Sequence, residues 1–323
     1  MGAAAGRCGR DQAVGAVPAA GRGRVSEPVG PRRARAAAEE KSGRDRDRTL
    51  PPAPEPLPHP VVDNHCHLDI ADGEQWFTVD DAVGAAARVG VARIVSIGCD
   101  LAGAAWAVRT ADTYDEIVAA VSLHPNEAPR LAQAGRLDEA LRAIESLAAA
   151  SPRVRAVGET GLDHYRTGED GRAAQEESFR AHIAMAKAYD KALVVHDRDA
   201  HDDVLRVLDE EGAPARTVMH CFSGDADFAR ACLDRGAWLS FAGTVTFRNA
   251  EPLREALALA PADRILVETD APYLTPIPYR GRPNASYLVP LTVRAMAQVR
   301  GDDLGALCAD LEANTDAAFG GTW

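Results

Sequence analysis

Disulfide-forming cysteine patterns and long apolar runs are both missing from this sequence. Six cysteines are scattered over 323 residues without a Cys-x-x-Cys pair, so neither a disulfide framework nor a four-cysteine zinc site is expected. No run of about eighteen apolar residues occurs, so no membrane-spanning segment is predicted. A reducing cytoplasm is therefore the expected compartment.

Positive charge is also scarce. The chain has 36 Lys and Arg against 48 Asp and Glu, which gives a net charge of −12. This balance argues against a broad basic surface that grips duplex DNA, because such binding depends on neutralising many phosphates. Any contact with nucleic acid is expected to be local or to be carried by metal ions.

Residues 1–59 have few large apolar side chains and are rich in Gly, Ala, Pro and Arg. Eleven Lys and Arg against seven Asp and Glu give this segment a net charge of +4. A segment of this composition cannot bury enough apolar surface to offset the entropy lost on ordering. We therefore predict a disordered extension over 1–59 and a folded domain over 60–323. The alternative is a basic arm that helps to hold nucleic acid.

From residue 61 onward, short runs rich in Val, Ile and Leu alternate with longer amphipathic stretches. Continuous apolar runs indicate strands that are covered on both faces, as in a parallel sheet. Eight strand–helix repeats in about 260 residues have the size and number of a (β/α)8 TIM barrel. The alternative, a doubly wound open sheet, lacks its Gly-x-Gly-x-x-Gly turn after the first strand. The predicted strands are 61–64, 92–98, 116–122, 154–159, 192–196, 216–220, 237–243 and 264–270.

Histidines and acidic residues recur where the predicted strands end, which is where a (β/α)8 barrel has its active site. His65 and His67 project from one face, because residues i and i+2 of an extended chain point the same way. Two neutral imidazoles at this spacing can chelate a divalent metal. The whole set can supply the ligands of a one- or two-metal hydrolytic site: His65, His67, His124, Glu159, His196, His220 and Asp270.

Several blocks at these positions resemble the signature blocks of the TatD family, which are metal-dependent deoxyribonucleases within the amidohydrolase-like (β/α)8 superfamily. The blocks are Asp-Asn-His-Cys-His-Leu-Asp at 63–69, Gly-Glu-Thr-Gly-Leu-Asp at 158–163, His-Cys-Phe-Ser-Gly at 220–224 and Glu-Thr-Asp-Ala-Pro-Tyr-Leu at 268–274. Two departures are Ala285-Ser286 after Asn284, where related sequences carry Glu-Pro, and Leu123, where glycine is common. They leave the predicted ligands untouched but put the shape of the substrate mouth in doubt.

The resemblance implies a site with two divalent metal ions, for which Zn²⁺, Mn²⁺ and Mg²⁺ all remain open. One metal is expected at His65, His67, Glu159 and Asp270, and the second at His196 and His220 with Glu159 as a shared bridge. Asp270 is the expected acceptor of the proton from the attacking water. Asp270 and the bridging Glu159 are the predicted catalytic residues. The expected substrate contacts are His124, Arg198, Tyr165 and Arg280.

The leading functional interpretation is a deoxyribonuclease that cleaves single strands or 3′ ends, with DNA as its partner. A deacylase that removes a D-amino acid from tRNA is the enzymatic alternative, because it also hydrolyses an ester on a nucleic-acid end. A metal-stabilised binding protein without catalysis is the alternative from another class. A monomer without an obligatory protein partner and without membrane contact is expected.

Overall fold

The computed structural model describes residues 29–35, 46–321 and 323. Its strands are β1 (Arg33–Ala34), β2 (Val61–Cys66), β3 (Ile70–Ala71), β4 (Val91–Gly98), β5 (Ile117–Val121), β6 (Val154–Asp163), β7 (Ala192–Arg198), β8 (Thr217–Met219), β9 (Trp238–Phe241) and β10 (Ile265–Val267). Eight of them form one parallel sheet in the order β2-β4-β5-β6-β7-β8-β9-β10. The predicted (β/α)8 barrel with eight strands is confirmed.

Helices connect the strands and pack around the barrel. They are α1 (Val79–Arg88), α2 (Leu101–Thr113), α3 (Ala128–Gln133), α4 (Leu137–Ala150), α5 (Glu169–Ala188), α6 (His201–Glu211), α7 (Ala226–Asp234), α8 (Glu251–Leu259), α9 (Val289–Arg300) and α10 (Leu304–Ala318). Within the described part of the chain, no helix combines the length and the apolar character needed to cross a membrane.

The strands are buried on both faces, which is why they read as continuous apolar runs. Ile117 of β5 packs in the apolar cluster that contains Phe179 of α5, on the side of the sheet that the helices cover. Val118, its neighbour in sequence, packs with Val194 of β7 and with Phe319 in a second cluster. Successive side chains of a strand point to opposite faces, so the two clusters fill the two sides of the sheet.

The barrel closes where its first and last strands meet. The backbone N–H of Asp270 donates to the carbonyl oxygen of His65 at 2.9 Å, and that of His67 donates to Ala271 at 2.8 Å. These bonds join the carboxyl ends of β2 and β10. They therefore place His65, His67 and Asp270 side by side at the mouth of the barrel, the end where the strands finish.

The predicted disordered extension over 1–59 differs from the structure in the two stretches that are described there. β1 pairs in parallel with β3, with Arg33 opposite Ile70, and Leu57 is buried against the barrel. Arginine is the reason for part of this order, because Arg46 pairs with Asp72 at 3.0 Å. Composition alone misses such partners. The rest of the predicted extension, 1–28 and 36–45, lies outside the described residues.

Candidate metal centre

All six predicted metal ligands converge at the mouth of the barrel, around the carboxylate of Glu159. Glu159 lies in β6, His65 in β2 and His196 in β7, and the other three follow the ends of strands. The two oxygens of Glu159 face different groups of side chains. We call these groups the Oε1 subsite (His65, His67 and Asp270) and the Oε2 subsite (His196 and His220).

In the Oε1 subsite, two imidazoles and a second carboxylate surround one oxygen of Glu159. Nε2 of His65 and Nε2 of His67 lie 3.8 and 3.6 Å from Glu159 Oε1. The same two nitrogens lie 3.7 and 3.2 Å from Asp270 Oδ1. Two nitrogens and two carboxylate oxygens therefore face a common point, which is a ligand set that suits Zn²⁺ or Mn²⁺.

In the Oε2 subsite, the other oxygen of Glu159 faces two imidazoles. Nε2 of His220 lies 2.8 Å and Nδ1 of His196 lies 3.1 Å from Glu159 Oε2. The rings of His65 and His220 stack with their centroids 3.8 Å apart, so the two subsites share a wall. Glu159 is the group that joins them.

The second nitrogen of most of these rings has an outer partner. Nδ1 of His220 forms a hydrogen bond of 3.1 Å with Glu268 Oε1, whereas Nε2 of His196 lies at an ion-pair distance of 3.4 Å from Asp163 Oδ2 without hydrogen-bond geometry. Nδ1 of His67 lies 3.7 Å from the sulfur of Cys99. Such outer partners fix the orientation and tautomer of a metal-binding imidazole and raise its basicity.

His65 supports the interpretation as a metal centre most directly. Its side chain is fully buried, and neither ring nitrogen has a hydrogen-bond partner. Burial, and then the charge of His220, lowers the pKa of His65, so its ring is neutral and one of its two nitrogens has a lone pair available. A buried polar atom without a partner is costly. A cation between Nε2, Glu159 and Asp270 would satisfy it.

Burial opposes charge on the other members, and neighbouring groups decide the direction of each pKa shift. For Glu159, burial is outweighed by the charge of His220 and by the hydrogen bonds from His196 and His220, which hold its pKa well below the usual range. For Asp270, burial is outweighed by the hydrogen bond from His67, and the pKa is again lowered. For His220, the charges of Glu159 and Glu268 overcome burial and raise the pKa well above the usual range. The anionic carboxylates of Glu159 and Asp270 therefore stabilise positive charge in the site, either as protonated imidazoles or as a metal cation.

Backbone geometry holds the two subsites together at two positions. Gly161 in β6 has a φ of +134°, and a Cβ there would lie 2.1 Å from the carbonyl oxygen of His196. Only glycine allows β6 and β7 to approach so closely two residues after Glu159. Asp270 has a φ of +54°. A residue other than glycine in this region is strained by about 1 kcal/mol or more, and strain of this kind clusters at functional sites.

The hydrogen bonding of His124 assigns the tautomer of its ring. Burial lowers the pKa of His124 to about 3, so the ring is neutral at pH 7. Nδ1 accepts a hydrogen bond from the backbone N–H of Asn126 at 3.0 Å, which assigns the remaining proton to Nε2. Nε2 lies 4.0 Å from Glu159 Oε2. A protonated nitrogen cannot bind a metal but can donate to a phosphate oxygen, so the geometry favours a substrate contact.

The other predicted substrate contacts fall in two places. The guanidinium of Arg198, at the end of β7, lies 4.0 Å from the ring centroid of the exposed Tyr165. Arg280, in the loop after β10, packs separately over Phe247 at 4.2 Å. Asn284, at the block that departs from the family pattern, donates to the carbonyl oxygen of Thr269 at 2.9 Å and so supports the loop of Asp270.

Four side chains of the site had no role assigned from the sequence. Cys99 follows β4 directly and lies 3.2 Å from Glu159 Oε1. Its position at the end of a strand is the sequence signal that indicates a place in the site. Asp163 and Glu268 lie within the family-like blocks. Only the fold shows that they stand behind His196 and His220. His182 has the pattern of a helix-face residue, yet it is buried and accepts the backbone N–H of Leu123 at 3.1 Å.

The family model described as TatD related DNase matches residues 62–320 of this chain. An uncharacterized metal-dependent hydrolase TatD of Mycobacterium tuberculosis is 45% identical over 267 residues, which cover 81% of this chain and 99% of that protein. A 3′-5′ ssDNA/RNA exonuclease TatD of Escherichia fergusonii is 34% identical over 252 residues, which cover 75% of this chain and 92% of that protein.

Similarity extends to solved structures. The crystal structure of YJJV, a TatD homolog from Escherichia coli, matches with a TM-score of 0.72 and 26% identity, over 80% of this chain and 97% of that one. The family match includes the converging residues and, apart from Val61, the eight strands of the barrel. This chain belongs to the TatD family of metal-dependent hydrolases.

Proposed function

We propose that this hydrolase cleaves phosphodiester bonds in DNA, at single strands or 3′ ends, with two divalent metal ions held around Glu159. The observation that carries the proposal is the position of Glu159, which offers one oxygen to each subsite. A carboxylate placed in this way can bridge two cations. When bound, such ions supply Lewis acids that activate water and stabilise the attacking and leaving oxygens of a phosphoryl transfer.

Asp270 is the proposed proton acceptor. Its carboxylate is held anionic beside His67, whose hydrogen bond at 3.2 Å helps to lower its pKa. An anionic carboxylate within the cluster can take the proton of an attacking water molecule.

The phosphate and the bases have separate proposed contacts. Nε2–H of His124 points toward the Glu159 side of the site and can donate to a phosphate oxygen. The guanidinium of Arg198 can do the same, and the exposed ring of Tyr165 beside it can stack on a nucleobase. Arg280 is proposed to contact the strand farther from the metals.

A parallel assay tests this function. The protein, supplied with Mn²⁺, Mg²⁺ or Zn²⁺ in turn, is incubated with 5′-labelled single-stranded DNA, duplex DNA and D-aminoacyl-tRNA. We expect progressive shortening of the single strand from its 3′ end and no reaction of the Asp270→Asn variant. Cleavage of the tRNA ester alone would assign the deacylase activity instead, and no reaction of any substrate would favour a non-catalytic binding protein.

The number of metals and the state of assembly are part of the same proposal. Elemental analysis of the purified protein after metal loading is expected to give two divalent ions per chain. Light scattering behind a sizing column is expected to give the mass of a monomer, 34.2 kDa.

A further inference from the structure

Two N-terminal stretches, residues 29–35 and 46–50, lie at the mouth of the barrel, outside the family match that begins at residue 62. We call them the rim segments. β1 adds to β3, which begins three residues after His67. Backbone N–H groups of Arg32 and Arg33 both donate to the carbonyl oxygen of Asp69, at 2.8 and 3.1 Å. The first rim segment is therefore attached directly beside the Oε1 subsite.

The rim segments bring arginines to three carboxylates of the mouth. Arg32 pairs with Asp69 at 3.0 Å and with Asp100 at 2.8 Å. Arg35 and Arg46 both pair with Asp72, at 3.2 and 3.0 Å. Burial of the Asp72 side chain opposes its ionisation, but Arg46 and Arg35 lower its pKa, so it is charged. Without these arginines, three negative charges would stand at the entrance and repel a phosphate backbone.

The same arginines lead toward the catalytic residues. Arg32 and Arg33 line a groove of about 520 Å³ together with Arg130 and Leu123, the neighbour of His124. On the opposite side of β3, the guanidinium of Arg35 lies 4.7 Å from the ring centroid of Tyr273. That ring meets the His67 ring edge-on, with centroids 5.9 Å apart. One chain of contacts thus runs from the rim segments to the Oε1 subsite.

We propose that the rim segments are part of the substrate-binding mouth, where Arg32, Arg35 and Arg46 neutralise its carboxylates so that a polyanionic nucleic-acid strand can enter. This inference rests on the proposed function, because it assumes that the substrate is a nucleic acid. It predicts that the rim segments matter more for a strand with many phosphates than for a small ester with one charge.

The test compares a triple variant, R32Q/R35Q/R46Q, with a control of equal charge change, R206Q/R230Q/R235Q. The control arginines lie on or just after α6 and α7 and pair with acidic residues there. Binding of a fluorescent single-stranded oligonucleotide is measured by anisotropy in EDTA, over a range of salt concentrations. Hydrolysis is measured with the oligonucleotide and with bis(p-nitrophenyl) phosphate.

We expect the rim variant to raise the Kd of the oligonucleotide about tenfold at low salt and to flatten its salt dependence. Its loss of kcat/KM should be at least about fivefold greater for the oligonucleotide than for the small diester, because only the strand extends over the mouth. The control should behave like the parent. A charge-retaining variant, R32K/R35K/R46K, should recover most of the binding.

Several results would overturn the proposal. Equal losses on both substrates would mean that the rim segments only support the fold. Unchanged oligonucleotide binding, or faster hydrolysis after substitution, would mean that they play no part in binding or obstruct the mouth. Because anisotropy is read without catalysis, an oligonucleotide that binds but is never cleaved contradicts the proposed nuclease function while the rim is still judged by its Kd.

Discussion

The two halves of the centre balance their charge in different ways. The Oε1 subsite has a carboxylate of its own, Asp270, in direct reach of both imidazoles. The Oε2 subsite has imidazoles only, but carboxylates stand behind them, Glu268 behind His220 and Asp163 behind His196. Glu159 contributes one oxygen to each half. The anions needed to hold a cation are thus next to it on one side and behind a ring on the other.

This difference indicates how the two halves divide their work. A carboxylate that directly faces the cation can also accept a proton, so the Oε1 subsite suits the chemical step. Carboxylates behind an imidazole raise its basicity and hold its orientation, so the Oε2 subsite suits firm binding of a metal. Substitutions that should weaken metal binding in one subsite, in both or in neither can test this division.

The largest effect is expected at the group that the two halves share. Glu159→Gln removes the charge that faces both subsites, so both ions should bind more weakly. Activity should fall by more than the roughly 10–100-fold typical of losing an outer partner. Metal content by elemental analysis and kcat/KM are the measurements, and Glu177→Gln on the exposed face of α5 is the matched control. Full metal content with full activity would remove Glu159 from the bridging position.

Asp270→Asn should affect the Oε1 subsite selectively. The variant loses the negative charge beside His65 and His67, so one of the two ions should be lost first during dialysis against a weak chelator. The Oε2 ion should remain because its anionic partners are intact. Activity should fall by about 100-fold, since the proton acceptor is removed as well. If both ions are lost in parallel, the division into two subsites is wrong.

Glu268→Gln should affect the Oε2 subsite instead. The amide oxygen can still accept from Nδ1 of His220. Of the two charges that raise the pKa of that ring, Glu159 remains and Glu268 is lost. The affinity of the Oε2 ion should fall by about 10–100-fold, as measured by isothermal titration. A variant that weakens only the Oε1 ion would contradict the comparison.

Cys99 gives a smaller test on the Oε1 side. Its thiol donates to Glu159 Oε1 and lies beside Nδ1 of His67. Cys99→Ala removes both contacts and should lower the affinity of the Oε1 ion by a few-fold, about the value of one hydrogen bond. Cys99→Ser, which keeps a donor, should restore most of it. Equal titration curves for the alanine variant and the parent would exclude a role for the thiol.

His182 provides a reference that touches neither subsite. Burial lowers its pKa to about 4, so the folded state resists its protonation. In the unfolded chain, His182 binds a proton below its usual pKa near 6.5. Protonation therefore favours the unfolded state, and the stability of the fold decreases as the pH falls from about 6.5 toward 4. In urea unfolding, the parent should lose about 2 kcal/mol more than His182→Gln between pH 7.5 and 5.

The pKa of His201 is shifted in the direction opposite to that of His182. The hydrogen bond of His201 to Asp197 raises the pKa of this half-exposed ring. His201 therefore stabilises the fold below its usual pKa and loses this effect as the pH rises. His201→Gln should reduce stability mainly at low pH, opposite to His182→Gln. Parallel pH profiles of the two variants would contradict both assignments.

Much of the site could be predicted without coordinates because of a regular feature of the fold. Parallel strands of a barrel all end at the same side, so residues at strand ends meet even when they are far apart in sequence. His65 and Asp270 are the clearest case, since backbone bonds between their strands join them. The outer partners could not be predicted in this way, because the acid behind each ring depends on strand stagger.

The sequence by itself determined the eight strands, the family and the residues that converge on Glu159, since periodic burial and short motifs are local properties. Only the tertiary structure decided that Glu159 divides the centre, that His124 carries its proton on Nε2, and that His182 is buried. It also decided that 29–35 and 46–59 pack on the barrel despite their composition. Each of these depends on a partner from a distant part of the chain, and a carboxylate such as Asp72 orders an arginine only when the fold brings the two together.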